Sequence, residues 1–442
     1  MTAPRTRWRA GVVQELTYRG LITSTMDQAQ YVLVVAFRIK GPLDQRALDS
    51  AVRTVGERHS VLRVRFEVDP DDSVYQVVDP TARVRLEVVS PRDPVAWAQA
   101  EAARRDPINM PPLLRMSLAR VTDEEYLLVA ALDHLAGDAW AMGVILREVS
   151  YEYARATGDP RPPLPKTTQF HDWADAQRAY LDSPAGIATL EYWRRSLPEH
   201  AADMNLLLPG FGTGAPGPGD GAARELKRHA PARTMETVRA RAKELRVTPF
   251  IYLLASLVLT LADESTARRV TVLANVANRA DPGSEGVVGS LTNAVLLHVD
   301  LTGVERFTDV LRRTRTVVMG AIAHQQPPMI SVRRYVWPET FEEYESERRC
   351  YFALDGRPGR FSDLDLPGLD VSGYYIPDEI PERAGLEWWC HGDQDGLDVY
   401  TIFRHSDYSP EYIAHLSERL CALLADEPAA DELARKIGSG QR

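Results

Sequence analysis

In the first third of the chain, segments with the hydrophobic pattern of a strand alternate with segments that have the pattern of a helix. Residues 31–39, YVLVVAFRI, form a continuous apolar run rich in β-branched and aromatic side chains, which is typical of a buried strand. In the next segment, residues 43–59, Leu43, Ala47 and Ala51 recur at four-residue spacing, which predicts a helix with one buried face. Further strand-like and helix-like segments follow. The alternation predicts an α/β fold in which helices pack on mixed sheets.

The second half of the chain repeats this pattern after two breaks. The breaks are the proline-rich tract 159–166 and the Gly/Pro-rich loop 209–223. We therefore predict two α/β lobes, an N-terminal lobe of residues 1–184 and a C-terminal lobe of residues 185–442. The elements predicted beyond the breaks are a helix of 247–262 with Thr248 as N-cap and Pro249 at its first position, strands at 268–279 and 294–303, a helix from Phe307 into Ala323, and late strands at 370–376 and 396–403.

Composition narrows the possible functions. With 442 residues, of which 44% are hydrophobic, the chain buries a large core without disulfide or metal support. Cys350, Cys390 and Cys421 are odd in number and lack CxxC spacing, which favours a reducing cytoplasm over a disulfide framework or a zinc site. The longest apolar run is shorter than the roughly 20 residues of a membrane span, so we expect no membrane role.

The charge balance opposes binding to nucleic acid. The formal net charge is -10, whereas phosphate backbones attract clustered positive charge. A local basic cluster of Arg312, Arg313 and Arg315 remains compatible with an acidic protein partner, although a solvated helix face is the simpler interpretation.

The chemical focus of the sequence is the segment 133–139, DHLAGDA, which joins an apolar strand to a helical run. A histidine with its pKa near neutrality can take a proton from an attacking amine or hydroxyl, or hydrogen-bond to the tetrahedral centre that results. Asp138 opens the predicted helix and is expected to cap it, and an arginine partner would fix the bend that aims His134. The spacing of His134 and Asp138 alone carries little weight. The motifs GxSxG, GxxxxGK[ST] and HExxH do not occur, and GFGTGAPG is interpreted as a linker.

Several segments in order carry a family resemblance. The run DHLAGDAWAMGVILREVS resembles the HHxxxDGxS signature of nonribosomal peptide condensation domains, in the chloramphenicol-acetyltransferase-like superfamily. RHSVLRVRF and PLLR precede it where the family has RHExLRTxF and GPLLR. TVLANVANR, VGSLTNAVLLHVDL and AHQQPPM follow it as the family's later motifs do. The resemblance spans roughly residues 41–428, and the chain is identified as similar to a free-standing condensation enzyme.

The resemblance implies an architecture and a set of roles. It implies two lobes forming a V, with the active-site tunnel at their junction and the catalytic residue His134 inside it. Asp138 would be structural and would pair with Arg279 between the lobes. Gly137, Ala139, Trp140 and Asn293 would contribute to the oxyanion site or line the tunnel. The resemblance implies no metal and no cofactor bound by the chain, because a carrier protein supplies the phosphopantetheine arm.

Three positions depart from the family signature. Asp133 replaces its first histidine, Ala139 its glycine and Ala141 its serine. Ala139 keeps a backbone N–H that can donate to an oxyanion at the helix start. Strand alternation points Asp133 away from His134, so a structural role against a buried arginine or the backbone is favoured over an electrostatic one.

The function expected from the resemblance is condensation in trans. An acyl or peptidyl carrier protein would present a thioester, and a small-molecule or carrier-bound amine or alcohol would be acylated. Two alternatives stay open. One is an acyltransferase that uses acyl-CoA, and the other is a catalytically silent docking module that recruits a partner to a carrier, which the altered Asp133 motivates.

Overall fold

The computed structural model describes residues 6–23, 31–212, 214, 223–343, 348–354, 364–376 and 385–440. Within these ranges it confirms the predicted α/β class with mixed sheets. The described residues form two compact units, the first within the ranges 1–183, 277–292 and 358–379, and the second within the ranges 184–276, 293–357 and 380–442.

The first unit contains two sheets and the helices that pack on them. Its strands are β1 (Arg7–Arg9), β2 (Val32–Lys40), β3 (Val64–Val68), β4 (Val74–Val78), β5 (Leu86–Val89), β6 (Leu114–Arg120), β7 (Glu125–Asp133) and, far along the chain, β12 (Asp370–Gly373). Its helices are α1 (Val12–Ile22), α2 (Gln45–Arg58), α3 (Pro94–Ala103), α4 (Ala139–Ala156) and α5 (Phe170–Leu181).

The larger sheet of this unit has the strand order β12-β2-β7-β6-β5. All neighbours are antiparallel except β5 and β6, which are parallel. The middle strand β7 is buried along almost its whole length, which explains why its sequence is continuously apolar and does not alternate. The strand ends at Asp133, so the residues that follow it emerge at the end of the central strand of this sheet.

The second unit is built on one six-stranded sheet with the order β10-β9-β11-β13-β14-β8. Its strands are β8 (Ala223–Pro231), β9 (Arg269–Val276), β10 (Asn293–Asp300), β11 (Cys350–Leu354), β13 (Leu386–Gly392) and β14 (Gly396–Arg404). Its helices are α6 (Pro184–Ser196), α7 (Ala232–Glu244), α8 (Pro249–Ser265), α9 (Phe307–Ala323), α10 (Met329–Val336), α11 (Pro410–Ala425) and α12 (Glu427–Ser439). The predicted helix start is present, since the Thr248 side chain accepts the Ile251 N–H at 3.3 Å.

Two segments that follow residue 184 in the sequence belong to the first unit. They are residues 277–292 and the described residues 364–376. Val287, Val288 and Leu291 are buried in the core of that unit, and β12 pairs antiparallel with the edge of β2. Two effects favour this arrangement. It removes the valine and leucine side chains from water, and β12 supplies hydrogen-bond partners to the side of β2 that would otherwise be an unpaired sheet edge.

Among the described residues no single helix is long and apolar enough to cross a membrane; α7 and α8 together reach the length and composition but are bent by 106° at their junction. Cys350 and Cys421 are free thiols, and Cys350 and Cys390 are buried. The cytoplasmic location stays a prediction.

Candidate active site

His134 occupies the first position after β7, in a turn that leads directly into α4. Its backbone N–H donates to the Tyr31 carbonyl at 2.8 Å, which extends the pairing of β2 and β7 by one residue. The two rings also meet edge to face, with centroids 6.1 Å apart. The Ala136 and Gly137 N–H groups both donate to the Asp133 carbonyl, at 2.8 and 3.1 Å, and close the turn. The imidazole is therefore carried on a backbone that is fixed on both sides.

Asp138 fixes the helix side of this turn. It is the N-cap of α4, and its Oδ1 accepts the Ala141 N–H at 2.8 Å. The Arg279 guanidinium donates to both carboxylate oxygens at 3.0 Å. The remaining capacity of Oδ2 is filled by the Leu291 N–H at 2.9 Å and by the N–H and hydroxyl of Thr292 at 2.8 Å. Both ends of the salt bridge are buried, so Asp138 ties the start of α4 to segment 277–292.

The surroundings of Asp138 keep it ionised. Burial by itself raises the pKa of a carboxyl group, but the charge and hydrogen bonds of Arg279 outweigh it and hold the pKa of Asp138 below its usual value. A carboxylate in this state has no proton to exchange near neutral pH, so a proton relay through Asp138 does not fit. Both residues lie in the first unit.

Asp133 fixes the strand side of the turn with much less support. Its Oδ1 accepts the Leu135 N–H at 2.8 Å, which is the hydrogen bond of an Asx-turn. Burial raises the pKa of Asp133 to about 6, the Leu135 N–H opposes this shift, and the nearby charge of Asp106 adds to it. Asp133, Asp106 and Arg115 line one small cavity, in which Arg115 donates to Glu101 at 2.6 Å and also pairs with Asp106. The predicted partners of Asp133 were a buried arginine and the backbone, and the structure shows the hydrogen bond to the backbone.

The residues around the start of α4 differ in their exposure to solvent. Gly137 is buried, and a Cβ placed on it would lie 2.6 Å from Leu132 Cδ2 and 3.0 Å from Ala141 Cβ, so the turn has no room for a side chain there. Ala139 and Trp140 are exposed, and the Trp140 indole N–H donates to the Glu285 carbonyl at 2.9 Å. The first N–H groups of a helix have no partner inside the helix, which makes that of Ala139 a suitable oxyanion donor. Its role stays a prediction.

Asn293 is placed by the second unit, at the start of β10. Its Nδ2 donates to the carbonyls of Gln325 and Pro327 at 2.8 and 2.7 Å, and its Oδ1 accepts the Met329 N–H at 3.1 Å. These bonds hold the backbone of the AHQQPPM segment ahead of α10. Both amide hydrogens are therefore engaged by main chain, which favours a positioning role over direct contact with substrate.

The structure thus brings together His134, Asp133, Asp138 and Arg279, as well as Gly137, Ala139 and Trp140, around one turn, while Asn293 organises a separate segment. Two contributors to this turn, Tyr31 and Thr292, were not predicted from the sequence. Tyr31 precedes β2 opposite His134, and the antiparallel register of β2 and β7 would have indicated it. Thr292 is adjacent to Asn293 in VGSLTN, but nothing in that motif indicates an aspartate 154 positions away.

Sequence comparison relates the chain to one family. Residues 16–340 match the model of the Condensation domain. The phosphinothricin tripeptide synthetase PhsB of Streptomyces viridochromogenes is 30% identical over 418 residues, which cover 90% of this chain and 34% of the synthetase. The chain therefore corresponds to about a third of the length of that relative.

Solved structures share the fold at lower identity. A condensation domain from the monacolin K polyketide synthase MokA superposes with a TM-score of 0.78 at 19% identity, covering 96% of this chain and 98% of that one. The X-domain of teicoplanin biosynthesis, solved in complex with OxyB, gives 0.77 at 20% identity over 99% and 95% of the two chains. The PapA2 acyl transferase gives 0.75 at 18% identity over 98% and 93%.

Proposed function

The chain belongs to the condensation-domain family, and from that premise we propose that it transfers an acyl group from a carrier-protein thioester to an amine or hydroxyl acceptor. The observation that carries the proposal is the turn 134–138. Its backbone is fixed by hydrogen bonds at Tyr31, Asp133 and Asp138, so the imidazole of His134 is held at the end of a buried strand. Such preorganisation is what a general base needs.

The chemical step follows from the groups in this turn. The acceptor nitrogen or oxygen attacks the thioester carbonyl carbon, and His134 takes the proton that the acceptor loses. The tetrahedral oxyanion is stabilised by a backbone N–H at the start of α4, with that of Ala139 as the candidate. Collapse breaks the carbon–sulfur bond, and the proton leaves His134 for the phosphopantetheine thiolate. The products are an amide or ester and the free thiol of the carrier.

We further propose that the carrier is presented in trans, as a separate acyl or peptidyl carrier protein. The phosphopantetheine arm is then a part of the substrate and not a resident cofactor. The relatedness to the synthetase PhsB supports a place in nonribosomal peptide or related natural-product biosynthesis.

The decisive experiment mixes the purified chain with an acyl-loaded carrier and a panel of amines and alcohols. We expect product formation to fall by roughly 10²- to 10⁴-fold in His134→Ala, as for the loss of a general base. The matched control is His415→Ala, because His415 is exposed on α11, where it pairs with Glu264 at 3.3 Å. Equal rates in His134→Ala and in the unaltered chain would exclude the proposed role.

The same assay separates the two alternatives. A rate that is higher with a free acyl-CoA than with the loaded carrier would assign the chain to the acyl-CoA-dependent class. Capture of a carrier and a second protein with no transfer to any acceptor would assign it to the docking class. The altered Asp133 motivates the docking alternative, and the X-domain, which shares the fold, was solved in complex with OxyB.

A further inference from the structure

A concave site is lined entirely by residues of the second unit. Its volume is about 620 Å³, within the range of pockets that bind small molecules. The walls are the segment after α6, the outer ends of β9 and β10, and one face of α9. His298 in this wall follows Asn293 by five positions on β10, which corresponds to roughly 17 Å at about 3.3 Å per residue. None of the lining residues belongs to the candidate active site.

The charge of this cavity is unbalanced. Arg269, Arg312 and Arg313 line it, whereas Asp300 is the one carboxylate among the lining residues. Asp300 accepts from Arg269 at 3.1 Å, and its backbone carbonyl accepts from Arg313 at 2.5 Å. Three positive groups against one negative group leave an excess of two positive charges in the lining. Asp309, which pairs with Arg312 from outside the lining, reduces the excess to one.

Two of the three positive groups, Arg269 and Arg313, are held in place by Asp300 at the end of β10. Although burial raises the pKa of Asp300, hydrogen bonds from Thr302 and from Arg269 lower it to about 2, so this carboxylate is ionised and anchors the guanidinium of Arg269. The carbonyl of the same residue anchors Arg313. Guanidinium groups that are held in this way donate paired N–H groups with the geometry that phosphate and carboxylate oxygens accept.

The rest of the lining is neutral and largely apolar. His298 bonds through Nδ1 to the Thr271 hydroxyl at 2.8 Å, and burial, together with the charge of Arg269, lowers its pKa, so its ring is neutral at pH 7. Leu197, Pro198 and Val317 contribute apolar surface to the lining. A ligand that fits this lining has an anionic head and a compact apolar body.

We propose that this cavity binds a small organic anion, a phosphomonoester or carboxylate with an apolar body, through Arg269, Arg312 and Arg313. The site is separate from the proposed acyl transfer and does not depend on it. For Arg312 and Arg313 of α9, a small-molecule ligand replaces the two interpretations made from the sequence, which were an acidic protein partner and a solvated helix face.

Calorimetric titration of the whole chain at constant ionic strength tests this with three probes of similar shape. They are phenyl phosphate, phenylacetate and the neutral benzyl alcohol. We expect saturable binding of one molecule of at least one of the anions and no measurable binding of the alcohol. The tighter of the two anions identifies the head group. Binding of the alcohol as tight as that of the anions, or no saturation with either anion, overturns the proposal.

Variants locate the binding. Arg313→Gln is expected to weaken the affinity for the tighter-binding anion by roughly tenfold, since one charge-assisted hydrogen bond is lost. Arg269→Gln gives a second test, on strand β9 instead of helix α9. The matched control is Arg315→Gln, because Arg315 is exposed on the same helix but does not line the cavity. An equal loss in Arg315→Gln would mean that diffuse surface charge attracts the anion, and would overturn the proposal.

His134→Ala separates this proposal from the acyl transfer. We expect anion binding to be unchanged in this variant, even where product formation is lost. A loss of anion binding in His134→Ala would move the ligand to the candidate active site and contradict a second cavity.

Discussion

Two carboxylates five residues apart hold the two sides of the His134 turn, and their environments differ sharply. Asp138, on the helix side, is buried with the bidentate guanidinium of Arg279 and accepts further hydrogen bonds from Ala141, Leu291 and Thr292. Asp133, on the strand side, has one backbone N–H on its Oδ1 and the like charge of Asp106 nearby. The pKa of the first is therefore lowered and that of the second is raised to about 6.

This difference shows how one short motif can combine a carboxyl group whose partners lower its pKa with one whose pKa is raised. Burying a charge is tolerated where a partner and hydrogen bonds compensate it, and otherwise the group shifts toward its neutral form. Asp138 follows the first route and Asp133 the second. The position of Asp133 is also where the chain departs from the family signature, so the unusual residue of the motif is the one with incomplete compensation.

The largest expected effect comes from removing the compensation of Asp138. Arg279→Ala would leave a buried carboxylate without its charged partner, and we expect the free energy of unfolding to fall by about 3–5 kcal/mol. Denaturant titration measures this loss. Acyl transfer should fall as well, because the start of α4 would lose its link to segment 277–292.

The control for this variant is Arg315→Ala, since Arg315 is an exposed arginine on α9. Its effect should stay within about 0.5 kcal/mol, as for most surface substitutions. A loss in Arg279→Ala as small as that of the control would show that the backbone N–H groups alone compensate Asp138.

A second substitution tests the strand side through its pH dependence. Since the folded pKa of Asp133 is raised, the folded protein keeps this proton at a pH where the unfolded chain has released it, so stability falls as pH rises from about 4 to 6. Asp133→Asn keeps an acceptor for the Leu135 N–H without the charge. We expect it to be more stable than the unaltered chain by about 1–2 kcal/mol above pH 7, with the difference vanishing near pH 4.

Urea unfolding at a series of pH values measures this difference. Asp123→Asn is the matched control, because Asp123 is highly exposed in the turn before β7. Asp138 has the opposite sign, since its stabilisation is present above the unfolded pKa and is lost as pH falls through the folded value. A stability difference for Asp133→Asn that is constant from pH 4 to 8 would contradict the contrast between the two carboxylates.

The sequence patterns predicted the local parts of this turn, whereas one distant contact, that of Asp138 with Arg279, was indicated only by the family resemblance. The apolar run of β7, the position of His134 after it and the cap at Asp138 depend on neighbouring residues, and periodicity reveals them. The contacts of Thr292 and the packing of residues 277–292 in the first unit depend on the tertiary fold. The pairing of β12 with β2 is equally distant, because a strand of four residues does not indicate which sheet edge it joins.

The smallest expected effect tests how far Asp138 depends on each donor. Thr292→Ala removes the hydroxyl that donates to Oδ2 at 2.8 Å but keeps the backbone N–H, so we expect a loss of about 0.5–1.5 kcal/mol. Thr292→Ser keeps the hydroxyl and should lose less. In the Arg279→Ala background the remaining donors carry a larger share of the compensation, so Thr292→Ala should then cost more than it does alone. Additive effects of the two substitutions, measured by denaturant titration, would instead mean that the donors act on Asp138 independently.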